Sequence, residues 1–415
     1  MATIAAYTSP SLGHVLPFAG VLLELQRRGH RIRLRTLASE VGRMRGLGFD
    51  ADAVDPTVSA VEFDDWRARR MLDAYRRMCE IFCERGRREG PDLRSLIDAS
   101  QPDLVLTDVN TWGAAAVAEG CGLPWVSLAT YPPAMRSHGC PPYGPGLPPA
   151  TGPAGRARDA IITRTIYDPA MRTTTPMLNA MRADVAGLPP IADYDAMVRR
   201  APLTLVTTAE PLEYRHDDWA PDLQLVGPTT WEPPAAPPTW LAEIEGPIVL
   251  VATATDYQGD TDIVRTALLA LADEPVTVVA TMAHGARLGI PVPPNARIER
   301  FVPHSQLLVR ASVAITHGGL GVTQQALSHG VPVVAVPYGR DQLEVAARVQ
   351  HAGAGLRLPR SRLTPERLRH AVRRASGMRA GVAAVAAGLA AAGGAPRAAD
   401  LIEEQLALQS ARGGR

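Results

Sequence analysis

Apolar runs of strand length alternate with amphipathic helical stretches along this chain, and the alternation occurs twice. In the first fifty residues "TIAAY" (3–7) is a short apolar strand and "SPSLGH" (9–14) a loop. "VLPFAGVLLELQRRG" (15–29) carries apolar residues at helical spacing and stops at Gly29, and "RIRLRT" (31–36) alternates like a strand. This pattern predicts a βαβ unit with parallel strands. "DLVLTD" (103–108), "PWVSLA" (124–129) and "LTLVTT" (203–208) continue the strand series, with helices expected at about 65–99, 111–120 and 168–186.

Between 228 and 238 the sequence reads "PTTWEPPAAPP", too rich in proline for helix or sheet, and predicts a semi-rigid linker. The alternation then restarts. "PIVLVAT" (247–253), "PVTVVAT" (275–281), "ARIERF" (296–301), "SVAIT" (312–316) and "VPVVAVP" (331–337) are strands, and "DIVRTALLALAD" (262–273) is a helix. Such short continuous apolar runs suit parallel strands buried on both faces. The Ala-rich end is helical, with a break at Gly393-Gly394. The expected architecture is α/β, two Rossmann-like doubly wound domains facing across a cleft. Residues 1–227 form the first domain, 228–240 the linker and 241–395 the second domain. Residues 396–415 form a terminal helix and tail that can pack back on the first.

Composition narrows the function. Forty-three basic residues face forty-two acidic ones, and the net charge of +1 gives no electrostatic footprint for nucleic acid or an anionic membrane. The four cysteines are Cys79, Cys83, Cys121 and Cys140. No histidine lies near the Cys79/Cys83 pair, so reduced core thiols are expected rather than a zinc site. The amino-terminal stretch lacks a basic n-region, and no run reaches the ~18 apolar residues of a membrane span, so a cytoplasmic protein is expected.

The chemistry gathers late in the chain. No G-x-G-x-x-G follows the first strand, and no Gly-Lys-Ser or Gly-Lys-Thr occurs anywhere, which argues against dinucleotide and P-loop sites. After "SVAIT" comes "HGGLG" and a helix ending at Gly330. Glycines at a helix mouth let backbone N–H groups approach an anion, and the dipole favours negative charge there. His317 can add a hydrogen bond or positive charge to a phosphate. The next strand delivers Asp341 and Gln342 to the same sheet edge, where a carboxylate and an amide suit a hydroxyl-rich ligand such as a sugar. Val302-Pro303-His304 can form a wall for a base. Three Asp-x-Asp triplets (50–52, 193–195, 260–262) lie outside any sugar-nucleotide context, and no metal is expected.

The segment from Phe301 to Gln342 resembles the donor-binding signature of the GT1 family of GT-B glycosyltransferases, in particular actinobacterial enzymes acting on macrolides, enediynes and aromatic polyketides. The likeness runs from "SLGH" to "AARVQHAGAGLRL" (346–358). It implies that His317 touches the diphosphate of a UDP- or dTDP-sugar, with backbone amides of Gly318, Gly319, Gly321 and Val322 completing the cradle. It implies that Asp341 and Gln342 contact the sugar, and it makes Thr253 and Thr255 in "ATATDYQ" candidates for phosphate contacts. Val302 and His304 fall at the base. Val322 stands where the family usually has Thr or Ser, and Gln325 where it commonly has a ribose-clasping Glu.

His14 and Asp108 match the family's dyad, in which the carboxylate fixes one imidazole nitrogen and the other takes the proton of an acceptor hydroxyl. The resemblance thus implies an inverting, metal-independent transfer to a small-molecule aglycone, with no permanently bound cofactor and a monomer or homodimer. Trp66, Met71, Tyr75, Phe82 and Trp112 are candidates for the acceptor pocket, with 131–150 as a lid. C- or N-glycosyl transfer and a catalytically silent member of the fold remain open alternatives.

Overall fold

The computed structural model describes residues 1–413 except 69, 220, 256–258 and 283–287, with side chains as far as 408. Two wholly parallel sheets form the frame. The first contains β1 (Thr3–Tyr7), β2 (Arg31–Thr36), β3 (Asp50–Ala53), β4 (Leu104–Asp108), β5 (Trp125–Ala129), β6 (Thr204–Val206) and β7 (Leu223–Leu225), in the order β3-β2-β1-β4-β5-β6-β7. The second contains β8 (Ile248–Ala252), β9 (Thr277–Thr281), β10 (Ala296–Glu299), β11 (Ala311–Thr316), β12 (Val333–Ala335) and β13 (Gly355–Arg357), in the order β10-β9-β8-β11-β12-β13. In both sheets the order reverses beside the first strand, β1 or β8. That is where an open α/β sheet leaves a crevice at its carboxyl edge.

The helices that matter for the site are α1 (Leu12–Arg27), α2 (Met71–Ser100), α3 (Trp112–Gly120), α4 (Asp168–Ala186), α5 (Leu320–Ser328), α6 (Gln342–His351), α7 (Arg379–Ala391) and α8 (Gly394–Gly413). α1 starts earlier than the apolar periodicity predicts. Ser11 is extended (φ −144°), and its carbonyl accepts from His14 N and Val15 N, each at 3.0 Å, so the expected loop "SLGH" is the first helical turn. β3 ("DADA"), β7 ("LQL") and β13 ("GLR") were not predicted as strands. They lie at sheet edges, where short or polar segments suffice. The helix Gly152–Ile162 was not predicted either; none of its residues is buried.

The cores are mainly aliphatic, as the scarcity of aromatics requires. Ile4, Phe18, Leu22, Leu34, Leu106 and Leu205 are fully or nearly fully buried in the first domain, and Leu250, Val279, Leu327 and Val345 in the second. Each such side chain contributes about 1.5–3 kcal/mol relative to exposure. α7 and α8 form a strap between the domains. Val382, Val385 and Leu389 join the second core, while Ala398, Ala399, Leu401 and Ile402 join the first. By length and composition Arg379–Leu408 is apolar enough to cross a membrane; Gly393 (φ 89°) breaks it, and Val382, Val385, Leu389, Ala398, Ala399, Leu401 and Ile402 are buried in the two cores.

The 228–238 segment is neither helix nor strand and is clamped on α1: Trp231 N donates to Leu16 O at 3.1 Å, and Thr229 Oγ1 to Pro17 O at 3.0 Å. A Cβ on Gly20 would lie 1.7 Å from the Thr229 carbonyl, so only glycine permits this approach.

A buried polar chain joins the domains. Glu344 Oε1 accepts from Gly144 N (2.6 Å) and Gly146 N (2.8 Å), and Arg348 Nη1 donates to Glu344 Oε2 at 2.8 Å. Arg348 Nε donates to Glu213 Oε1 at 2.7 Å, and His216 Nε2 lies 3.1 Å from the same oxygen. The expected lid 131–150 is therefore anchored to the second domain. Burial pulls the His216 pKa down, but the neighbouring Cys140 and the Glu213 carboxylate outweigh it and raise it from 6.5 to about 9. A histidine raised on folding lends stability that is complete below pH 6.5 and is lost between 6.5 and about 9. The melting temperature of the wild type should therefore fall more steeply over that interval than that of His216→Gln. Parallel curves for the two proteins would refute the linkage.

Candidate functional site

β1 and β4 pair directly, with Tyr7 opposite Thr107, so the chain leaving each strand emerges at one sheet edge. α1 follows β1 and presents His14 in its first turn; Asp108 is the last residue of β4. His14 Nδ1 lies 2.8 Å from Asp108 Oδ2. Asp108 is wholly buried, while the His14 side chain keeps 15% of its exposure. The second carboxylate oxygen accepts from Asn110 N at 2.8 Å, which fixes the rotamer. A buried carboxylate facing Nδ1 makes Nδ1 the donor and leaves Nε2 as the proton acceptor. Two neighbours escaped the sequence reading: Thr130 Oγ1 is 3.0 Å from Nδ1, and Asn110 Nδ2 is 3.1 Å from Nε2.

Across the cleft, β11 ends at Thr316, whose hydroxyl accepts from Gly318 N at 3.0 Å. Gly318 has φ 91°, and a Cβ there would lie 3.0 Å from the Gln342 carbonyl. A Cβ on Gly319 would lie 2.4 Å from His317 Nε2. Gly318 is thus required by the turn, whereas a side chain at 319 would have to push the imidazole aside. α5 begins at Leu320, so its unpaired first N–H groups open beside His317. His317 is half-buried; its Nδ1 is shielded from solvent and lacks a well-formed hydrogen bond. Burial lowers its pKa below the usual value, although the Asp260 carboxylate and the Ala252 carbonyl pull it up and Arg340 pushes it further down. The ring is therefore a neutral hydrogen-bond donor at pH 7, rather than the cation that the residue type alone also allows.

Asp341 occupies the position before α6 without a side-chain capping bond, and Gln342 is the helix's first residue. Burial raises the Asp341 pKa, against the pull of Arg340 and of His14, whose field reaches it from the other domain. Gln342 Oε1 accepts from Tyr338 N (2.9 Å) and Gly339 N (3.3 Å), so its carbonyl holds the loop in shape. Arg340 is left-handed (φ 54°), a conformation costly for a residue with a Cβ. Its guanidinium donates twice to buried Asp65 in the first domain, at 3.0 and 2.7 Å, and lies over the Phe63 ring. The loop carrying Asp341 is thus held by the first domain.

Of the remaining candidates, Thr253 Oγ1 donates to the Thr281 carbonyl at 3.2 Å. Exposed Thr255 sits where a Cβ on Gly13 would come within 3.9 Å of its hydroxyl, directly across from His14's turn. The end of "ATATDYQ", 256–258, lies outside the described residues. The Val302 side chain is buried in the second core, leaving only its backbone for a base. His304 Nε2 is 2.9 Å from Thr281 Oγ1, and burial lowers its pKa. Gln325 Nε2 donates to Glu232 Oε1 at 3.0 Å; the same oxygen accepts from His304 N at 2.6 Å. Glu232, from the linker, therefore brings a carboxylate beside Gln325, and no sequence signal pointed to it. Gly321 is exposed at the mouth of α5, and Val322 is half-buried.

The acceptor candidates divide. Phe82 and Trp112 pack on each other at 4.9 Å in a buried cluster with Cys79, Cys83 and Leu178. Trp66 is 41% exposed, Met71 is half-buried at the start of α2, and the Tyr75 hydroxyl donates to the Tyr143 carbonyl at 3.2 Å under the anchored loop. A concavity of about 810 Å³ lies elsewhere, between α2 and α4 around Arg87, Arg94, Asp98 and Asp184. Cys79 and Cys83 are unlinked, with sulfurs 3.9 Å apart. Among the described residues no group of three or more His, Cys, Asp or Glu could hold a metal ion.

The sequence from 265 to 408 matches a family model described as erythromycin biosynthesis protein CIII-like, C-terminal domain. Over 391 residues the chain is 32% identical to the 4'-demethylrebeccamycin synthase of Lentzea aerocolonigenes, a match covering 90% of this chain and 91% of that protein. Among solved structures it is similar to the glycotransferase of kitacinnamycin, with a TM-score of 0.74, 24% identity and coverage of 97% and 99% of the two chains. It is also similar to glycosyltransferase VinC in complex with dTDP, with a TM-score of 0.70, 21% identity and coverage of 97% and 99%.

Proposed function

Because the chain belongs to the glycosyltransferases of actinobacterial natural-product biosynthesis, with their GT-B fold, we propose that it moves a sugar from a UDP- or dTDP-sugar to a hydroxyl of a small-molecule aglycone with inversion. The observation that carries the reading is the 2.8 Å contact between His14 and buried Asp108 at the cleft, facing the loop of Asp341. His14 Nε2 takes the hydroxyl proton as the acceptor oxygen bonds to the anomeric carbon. The bond from that carbon to the diphosphate oxygen breaks on the opposite face. Asp108 keeps the ring oriented and stabilises the imidazolium that forms.

The leaving diphosphate would meet the first N–H groups of α5 and a neutral His317 donor, groups already aimed at the charge that develops. Asp341 would accept from sugar hydroxyls, and Gln342 would keep its loop in place. Thr253 and Thr255 are proposed beside the phosphates, and the backbone at Val302 and His304 beside the base. A dTDP-bound neighbour of the same fold makes a thymidine donor a natural first trial beside uridine.

His14→Ala should lower transfer by about two to four orders of magnitude while leaving nucleotide affinity intact. A mutant as active as the wild type, followed by mass spectrometry over UDP- and dTDP-sugars with aromatic and macrolide acceptors, would remove the base assignment. His317→Ala should show the reverse division, with affinity for UDP or dTDP weakened about tenfold, the size of one good hydrogen bond to a charged group. Gly319→Ala should weaken it as well, because its Cβ displaces the imidazole. Unchanged titration-calorimetry isotherms for both variants would place the diphosphate elsewhere.

A further inference from the structure

We propose that Asn110 is a positioning residue that locks His14 in the tautomer whose Nε2 is a bare acceptor, and that Tyr131 locks Asn110. The inference deepens the reading of His14 as general base, but it concerns the state of the ring in the unliganded protein and can be tested without any substrate.

Three hydrogen bonds in series carry it. The Tyr131 hydroxyl lies 2.6 Å from Asn110 Oδ1, Asn110 Nδ2 lies 3.1 Å from His14 Nε2, and His14 Nδ1 lies 2.8 Å from Asp108 Oδ2. Burial raises the Tyr131 pKa well above its ordinary value, so the phenol keeps its proton and donates it to Oδ1. The amide oxygen is thereby turned toward Tyr131 and the amide N–H toward the imidazole. At the other end, buried Asp108 already accepts from Asn110 N through Oδ1, and its Oδ2 demands the proton of Nδ1. Donors and acceptors match along the whole chain only when Nε2 carries a lone pair. An imidazolium would set a ring N–H against the amide N–H. To relieve that clash Asn110 must flip, and Tyr131 must then turn from donor to acceptor.

The side chain of Asn110 has little freedom to avoid this role. The residue is 9% exposed, and its backbone is pinned in the turn after β4 by Asp108. Thr130 Oγ1, 3.0 Å from Nδ1, joins on the Asp108 side. Among the described residues, the charged or titratable groups that face His14 include Asp108 at the end of β4, Tyr131 after β5 and Asp341 across the cleft, itself beside Arg340. The two carboxylates favour the imidazolium; Asn110 opposes it. Its donation therefore keeps the base unprotonated in spite of the surrounding negative charge.

The test is a pH titration of the unliganded full-length protein carrying 15N-labelled histidine, with the His14 ring signals assigned by their loss in His14→Ala. In the wild type at neutral pH, the 15N shifts should report Nδ1 protonated and Nε2 bare; the opposite tautomer would overturn the inference. Asn110→Asp, nearly isosteric, replaces the donor with a carboxylate and should raise the His14 midpoint by about one pH unit or more. Asn110→Ala should raise it by about half to one unit, the value of one lost hydrogen bond, and Tyr131→Phe should move it in the same direction. A midpoint in Asn110→Asp equal to the wild type would equally overturn it, and Asn110→Asp keeps the test available if the alanine variant fails to fold. Loss of transfer in His14→Ala is a separate measurement. If that loss is absent the base assignment fails, whereas the ring titration decides the role of Asn110 alone.

Discussion

The site depends first on the adjacency of β1 and β4. These strands are about a hundred residues apart in sequence but hydrogen-bonded neighbours in the sheet. Because both are parallel and both end at the same edge, the first turn of α1 and the last residue of β4 bring an imidazole and a carboxylate within 2.8 Å. Neither residue could do this from a loop free to move. The helix fixes the direction of His14, and full burial of Asp108 removes the water that would otherwise compete for its oxygens. The order reversal beside β1 leaves the crevice in which that pair is reached from solvent.

A second constraint acts across the cleft. The loop of Asp341 stands opposite His14, and it is held there at a local cost: Arg340 adopts a left-handed backbone and the Glu344 carboxyl group is buried. The compensation comes from the first domain in both cases, as Asp65 for Arg340 and the Gly144 and Gly146 amides for Glu344. Buried ion pairs of this kind add little net stability, because desolvation offsets attraction, but breaking one is severe. Their effect here is to specify a single arrangement of the two halves. A rotation of one domain against the other would strand Asp65, Arg340, Glu344 and Arg348 at once.

The frame of the protein was legible because buried parallel strands are continuous apolar runs, and those are unambiguous in "DLVLTD", "PIVLVAT" and "SVAIT". Edge strands β3, β7 and β13 were not, since "DADA", "LQL" and "GLR" carry no periodic signal and exist by pairing with a neighbour. The start of α1 was missed because Leu12, Gly13 and His14 form its first turn without an apolar repeat. In the candidate site, His317, Asp341 and Gln342 could be named from their places after strand ends, and His14 and Asp108 from the family resemblance together with the strands that precede or carry them. Asn110, Thr130, Tyr131 and Glu232 could not. Their roles arise from contacts over 21 to 116 positions of sequence, and an Asn, a Thr or a Tyr after a strand is otherwise unremarked. The aromatic candidates show the converse limit. Composition marks Phe82 and Trp112 as large and apolar, but whether such a ring faces a ligand or a neighbour is decided by packing, and here they face each other.

The departure at Gln325 acquires a different meaning in three dimensions. Read along the chain, replacing a glutamate by a glutamine removes a charge from the second turn of α5. In the folded protein the Gln325 amide donates to Glu232, so a carboxylate is present in the same neighbourhood but is delivered by the linker. A glutamate at 325 would face that carboxylate at hydrogen-bond distance, and two like charges there would repel. Glutamine is the residue that can accept the linker's approach. Glu232 also accepts from His304 N at the start of a short helix, while Trp231 and Thr229 beside it bond to α1 in the other domain. The identity of residue 325 and the path of the interdomain linker are therefore one choice rather than two, and a change at either position would be felt at the hinge as well as in the cleft.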